Sequence, residues 1–170
     1  MLAGYAIAQS AHDENHGHQV KAAQHLPTEP GQGAFASIAE IAALLAADPG
    51  TDWKRVDIDA LQAHLVDMDR LVTLARPANE DLQDGLRITL PLDGPEGATL
   101  LRMLPAHGPV LEAETGWTSD LEITETWIVW TVTSPTEALR IQGLGFFGLM
   151  ATGDHHRAHH LALATGEMAH

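Results

Sequence analysis

Two amphipathic helices are predicted at the start of the folded part of the chain. Apolar side chains recur at helical spacing over residues 34–47, and the turn-forming run Asp48-Pro49-Gly50 ends this helix. A second apolar stripe covers residues 58–72 and follows Asp57, whose carboxylate can accept a hydrogen bond from the first helical turn. We expect these two helices to pack as an antiparallel hairpin.

The middle of the chain carries the patterns of a strand and a long helix. Residues 77–84 have the composition of a polar connector, and apolar and polar residues then alternate over 86–93, which predicts a half-buried strand. Pro91 favours an edge position for this strand, because proline has no N–H to donate across a sheet. A helix is then predicted to about residue 115, interrupted or kinked at Pro105 and Pro109.

Three further elements complete the predicted order. Strand patterns cover residues 117–123 and 127–132, and the second is apolar on both faces, which is typical of a central strand. Ser134-Pro135-Thr136-Glu137 has the form of a capping box with proline in the first turn, and a last helix follows Asp154 and stops near Gly166. This order predicts an α+β fold with an N-terminal helical hairpin, a small ferredoxin-like β-α-β-β-α unit without its final strand, and a C-terminal His-rich helix.

The first 33 residues lack an apolar period and are rich in histidine, glutamine, glycine and proline. We expect residues 1–33 to form a flexible His-rich arm and residues 34–170 to form a single α+β domain, which suits the chain length. Ala6-Ile7-Ala8 has the form of a signal-peptidase site, although no basic residue precedes it. We interpret the start as a signal-peptide remnant and expect a periplasmic or secreted protein, with a cytoplasmic one as the alternative.

Composition and charge indicate which kinds of binding partner are expected. The chain has 9 basic and 23 acidic residues, so it repels phosphate groups, and nucleic acid is not an expected partner. No stretch reaches the roughly 20 apolar residues that span a bilayer, so we expect no membrane insertion of the mature chain. Because the sequence contains no cysteine, a metal ion must be bound by histidine, aspartate, glutamate or methionine. No feature indicates a particular protein partner.

Four histidines within six residues are the most informative motif. His155, His156, His159 and His160 form two pairs at i,i+4 spacing and cover an arc of roughly 140° on a helix. This spacing lets two imidazoles reach one ion, as in zinc sites carried by a helix. Asp154 could cap this helix and serve as a ligand or as a hydrogen-bond acceptor for a ligand. The alternative is a solvated polar face that happens to be rich in histidine.

Two more histidines lie on apolar stripes, and each stands four residues from a methionine. His64 is paired in this way with Met68, and His107 with Met103. Imidazole together with thioether suits copper, although each of these residues taken singly is also typical of an ordinary core. We expect these histidines and methionines to complete a metal site only if they lie close to the terminal helix in the folded chain. The arm could capture Cu(II) or Zn(II) weakly through its own histidines, His12, His16, His18 and His25.

These patterns predict an exported metal-binding protein that uses the terminal His-His-x-x-His-His helix for capture, buffering or delivery of a copper or zinc ion, with copper favoured. A metalloenzyme of hydrolytic or redox type would use the same residues, and a metal-free pH-responsive interaction module would use them as titrating groups. Gly143, Gly145 and Gly148 have the spacing of a dinucleotide-binding loop but follow a helix instead of a strand, and therefore indicate close packing or a bend.

Overall fold

The computed structural model describes residues 33–153 and 155–167, apart from the side chain of His155. The elements of this part of the chain, in order, are α1 (Gly33–Ala47), α2 (Ile58–Leu74), β1 (Ala78–Leu82), β2 (Gly85–Pro91), α3 (Gly97–Thr115), β3 (Thr118–Ile123), β4 (Trp127–Thr133), α4 (Ala138–Met150) and α5 (His155–Ala164). None of these helices is both long enough and apolar enough to cross a membrane. The predicted arm and Asp154 lie outside the described residues.

The four strands form one antiparallel sheet in the order β1-β2-β4-β3. Since β2 and β3 both run antiparallel to β4, they are parallel to each other, and α3 connects them across the position that β4 occupies. This is the split β-α-β arrangement expected for a ferredoxin-like unit. The predicted α+β class and its order of helical start, β-α-β-β-α unit and terminal helix are therefore confirmed.

Strand β1 corrects the prediction of a polar connector over residues 77–84. It pairs with β2 from Ala78 opposite Thr89 to Leu82 opposite Gly85, and it takes the outer place that the missing final strand would fill. β2 is therefore an inner strand, so the edge position that Pro91 predicted is wrong. Pro91 is tolerated because it is the last residue of β2 and lies beyond the last residue paired with β1.

The larger core lies between one face of the sheet and the helices α3 and α4. Alternation along the strands directs their buried side chains to this face, where they meet the apolar stripes of the two helices. α3 continues through Pro105 and Pro109, so the predicted interruption does not occur, and Gly116 ends the helix in the left-handed conformation. The fully buried side chains include Ile88, Leu90, Leu100, Leu104, Leu111, Ile128, Trp130, Ile141, Phe146 and Leu149.

Helix α4 begins later than the capping motif predicts and contains a bend. Ser134 Oγ accepts a hydrogen bond from the Glu137 amide at 3.2 Å, as in a cap, but the helix starts at Ala138. The Glu137 carboxylate accepts a hydrogen bond from the indole of Trp117 at 2.7 Å instead of closing a capping box. Gly145, at φ 57° and ψ −171°, breaks the helix, which confirms the bend expected from the glycines.

A second, smaller core joins α1, α2 and α5. Its buried members are Ile41, Leu45, Leu61, Leu65 and Ala164. The predicted cap at the start of α2 is present, since the Asp57 carboxylate accepts a hydrogen bond from the Ala60 amide at 2.8 Å. The Asp57 amide donates in turn to the carbonyl of Ala164 at 2.8 Å. The end of α5 is thus held against the start of α2, which brings the His-rich helix beside the histidine on α2.

Candidate metal centre

A cleft of about 640 Å³ lies among α2, α3, α5 and the end of α4. Alanine and valine side chains form part of its wall, and the helices that form it belong to both cores. Its polar lining consists of four histidines with the side chains of Asp67 and Arg102, and two methionines also face it. The histidines are His64, His107, His156 and His159, and the methionines are Met103 and Met150.

Three imidazoles from α2 and α5 meet in one group, which we call the α2–α5 histidine group: His64, His159 and His160. The ring centroid of His64 lies 4.6 Å from that of His159 and 5.4 Å from that of His160. The rings of His159 and His160 are 6.5 Å apart. His64 is buried, and the two α5 residues are half-buried. Packing of α5 on α2 therefore brings together imidazoles that are far apart in the sequence.

The spacing within this group is close to that of imidazoles sharing one ion. With metal–nitrogen bonds of about 2.0 Å and tetrahedral angles, two bound imidazole rings have centroids roughly 5 Å apart. Two of the three separations in the α2–α5 histidine group are near this value, and the third is longer. In the described part of the chain, however, no set of three or more histidine, aspartate or glutamate side chains forms a ready ion site as placed. Binding by this group would thus require its rings to reorient.

A second pair of imidazoles, His107 on α3 and His156 on α5, stacks with ring centroids 5.9 Å apart. The Nε2 atom of His107 lies 2.9 Å from the carbonyl oxygen of Leu149, and that of His156 lies 3.1 Å from the carbonyl oxygen of Met150. A carbonyl only accepts, so each Nε2 atom carries a proton and donates it to the carbonyl. Histidine ligands of metals are commonly oriented by a backbone carbonyl in this way.

The electrostatic environment of α5 keeps His160 neutral. Burial lowers the pKa of His160 to about 4, and the neighbouring imidazoles of His156 and His159 contribute to the same shift. The Nε2 atom of His160 is buried and has no hydrogen-bond partner among the described residues. A neutral imidazole is the form that binds a metal, so at neutral pH no proton has to leave this ring first.

An ion pair links α2 to α3 beside these rings. One oxygen of the Asp67 carboxylate accepts a hydrogen bond from Arg102 Nη2 at 2.7 Å, and the other accepts from the Thr99 hydroxyl at 3.0 Å and from Arg70 at 3.3 Å. Burial alone would raise the pKa of Asp67, but these hydrogen bonds and the charges of Arg102 and Arg70 together lower it. Asp67 is therefore a stable anion that holds Arg102 at the cleft.

The structure brings most of the sequence-predicted residues to one place. His64, His107, His156, His159 and His160 come together where α2, α3 and α5 meet, and Met103 lines the cleft. Met68 does not line it, and packs instead against the smaller core. The side chain of His155 lies outside the described residues.

The closest imidazole rings belong to different helices and not to the predicted i,i+4 pairs on α5. The rings of His156 and His160 are 6.4 Å apart, whereas His159 lies 4.6 Å from His64 on another helix. The sequence offered Asp67 as a group that could orient His64 from i+3, but it did not identify Arg102 or the backbone carbonyls at the end of α4 as neighbours of these rings. A charged pair and a main-chain acceptor leave no periodic signal, so only their positions in the fold associate them with the site.

Comparison with protein families, with curated proteins and with solved structures found no match to this chain.

Proposed function

We propose that this protein binds a transition-metal ion through the α2–α5 histidine group, and that it serves to capture, buffer or deliver that ion outside the cytoplasm. The observation that carries the proposal is the convergence of three imidazoles from two helices, with ring centroids 4.6, 5.4 and 6.5 Å apart. Imidazole is a preferred ligand of zinc, copper and related ions. Small changes in the χ angles of half-buried rings would direct their nitrogens to a common point.

Copper is favoured over zinc by the thioethers in the same cleft. Met103 and Met150 line it together with His107 and His156, which supplies soft sulfur beside imidazole nitrogen. Thioether ligands select Cu(I), whereas zinc sites in proteins use thiolate, imidazole and carboxylate. Backbone carbonyls fix the orientation of the His107 and His156 rings in the same cleft.

The test is copper binding by equilibrium dialysis with elemental analysis, on the full chain and on two matched double variants. His159→Asn with His160→Asn removes two members of the α2–α5 histidine group. His16→Asn with His18→Asn removes two histidines of the predicted arm. We expect the first variant to bind at least about tenfold more weakly than the unchanged chain, and the second to retain its tightly bound ion.

The outcomes distinguish metal binding at the α2–α5 histidine group from metal binding at the predicted arm. If the arm variant loses the ion and the α5 variant keeps it, the proposed centre is wrong and the arm is the binding element. If neither variant changes the affinity, the proposal also fails. Circular dichroism checks that the α5 variant is folded, and the single change His159→Asn, at a half-buried position, replaces the double change if it is not.

A further inference from the structure

The cleft is much larger than a metal ion needs. Its volume is about 640 Å³, whereas one water molecule in the liquid takes about 30 Å³. Cavities of several hundred cubic ångströms with mostly apolar walls and a few polar groups are typical of sites for small organic molecules. The space beside the imidazoles therefore fits an organic body attached to the metal better than it fits a hydrated ion.

Small side chains form part of the wall of the cleft. Short aliphatic side chains from three helices form much of it: Ala63 on α2, Ala106 on α3, and Ala158 and Ala162 on α5. At these four positions no long side chain holds a ring system away from the helix backbone. A planar apolar group could thus contact the helices over a wide area, and its burial would be favourable in proportion to that area.

The cleft also carries the guanidinium of Arg102, which is paired with the Asp67 carboxylate in the same lining. Its side chain is 50% exposed, and its bonds to Asp67 and Thr99 all leave from Nη2. A guanidinium has five N–H donors, so it can hold one carboxylate and receive a second from another side. In a chain with a formal net charge of −14, such a local cation is what an anionic ligand requires.

We propose that the cleft binds a metalloporphyrin, a planar apolar macrocycle with anionic side groups whose metal accepts an imidazole as axial ligand. This inference rests on the proposed function, since it uses the same imidazoles as metal ligands and changes only the form in which the metal arrives. His159, which is half-buried on the wall of the cleft, is the axial ligand. The carboxylates of the macrocycle lie at Arg102.

The experiment titrates haemin and, separately, iron-free protoporphyrin into the full chain, followed by absorbance and fluorescence. We expect one haemin per chain, with a Soret band shifted from that of free haemin. Ala106→Phe fills the cleft at an exposed lining position, and it should weaken binding of both porphyrins at least about tenfold. The matched control is Ala113→Phe, an exposed alanine on the same helix that does not line the cleft, and it should bind as the unchanged chain does.

The change His159→Asn separates axial ligation from burial in the cleft. It should remove the shifted Soret band of bound haemin, and it should reduce the fluorescence increase of protoporphyrin far less than Ala106→Phe does. Equal haemin binding by Ala106→Phe and the unchanged chain would overturn the porphyrin site, and so would an unshifted Soret band in the unchanged chain. Copper dialysis on the same preparations distinguishes the two proposals: if copper binds and haemin does not, only the porphyrin inference fails, and if neither binds, both fail.

Discussion

At the scale of single residues, Asp67 shows how hydrogen bonds stabilise a carboxylate that is largely removed from water. Its side chain is 17% exposed, and its oxygens accept hydrogen bonds from Arg102, Thr99 and Arg70. A carboxylate removed from water in this way is stable only because these donors replace its hydration. The result is a link between α2 and α3 that holds a guanidinium beside the cleft.

We expect Asp67→Asn to lower the free energy of unfolding at pH 7 by about 1 kcal/mol, a value reduced for the solvent exposure of Arg102. The pKa of Asp67 is lower in the folded chain than its unfolded value of about 3.9, so the unfolded chain binds more protons in acid. The stability from this carboxylate is therefore present above about pH 4 and is lost as the pH falls through the folded pKa.

Urea unfolding at pH 7 and at pH 3 measures this effect. The difference between Asp67→Asn and the unchanged chain should shrink at the lower pH. Asp69→Asn, an exposed change on the same helix, is the control and should have little effect at either pH. A difference for Asp67→Asn that does not depend on pH would contradict an ionic role.

At the scale of elements, the bend in α4 connects the larger core to the candidate metal centre. Gly145 adopts φ 57° and ψ −171°, a region that is essentially restricted to glycine. The bend sets the direction of the last turn, and the carbonyls of Leu149 and Met150 in that turn accept hydrogen bonds from His107 and His156. A backbone conformation that needs glycine thus determines which way two imidazole rings face.

We expect Gly145→Ala to lower the free energy of unfolding by about 1–3 kcal/mol, because alanine is strained at this φ and ψ. Its Cβ would also lie 3.3 Å from the Asn79 side chain. Gly143→Ala is a matched control on the same helix, where an added Cβ meets nothing within 4 Å. That change should raise stability by about 0.5–1 kcal/mol, because alanine favours the helix. Thermal unfolding distinguishes the two, and equal effects would refute the special role of the bend.

At the scale of the whole molecule, the α2–α5 histidine group joins segments from the two ends of the described chain. α5 packs on α1 and α2 in the smaller core, and its His156 faces α3 and the end of α4, which belong to the larger core. An ion bound by His64 and His159 would cross-link α2 to α5. Because unfolding would break this link, ion binding and stability of the folded chain should be coupled.

Copper should therefore raise the midpoint of thermal unfolding. With free ion at 100 times its dissociation constant, a single site adds about 2.7 kcal/mol to the free energy of unfolding, less any binding to the unfolded chain. A chelator should reverse the rise. The variant His159→Asn with His160→Asn should show little of it. The same rise in this variant would mean that the ion acts elsewhere on the chain.

Much of the fold could be predicted from the sequence, because burial on one face leaves a periodic trace. The apolar stripes of α1 and α2 and the alternation in β2 report which side of each element meets a core. The Asp57 cap and the bend at the glycines could also be predicted, because each depends on local residue type. An aspartate can accept a hydrogen bond from the first helical turn, and a glycine tolerates a positive φ. The histidines stood out by their number and spacing.

The tertiary structure decided those features that no local sequence pattern indicates. Four of the five residues of β1 are exposed, so no apolar alternation marks this strand, and its place is set by backbone pairing with β2. The same holds for the centre: Met68 and Met103 have equivalent spacing from a histidine, yet only Met103 lines the cleft. The sequence by itself determined which residues are able to bind a metal. The packing of α5 against α2 determined which of them meet, because contact between distant segments depends on the whole core.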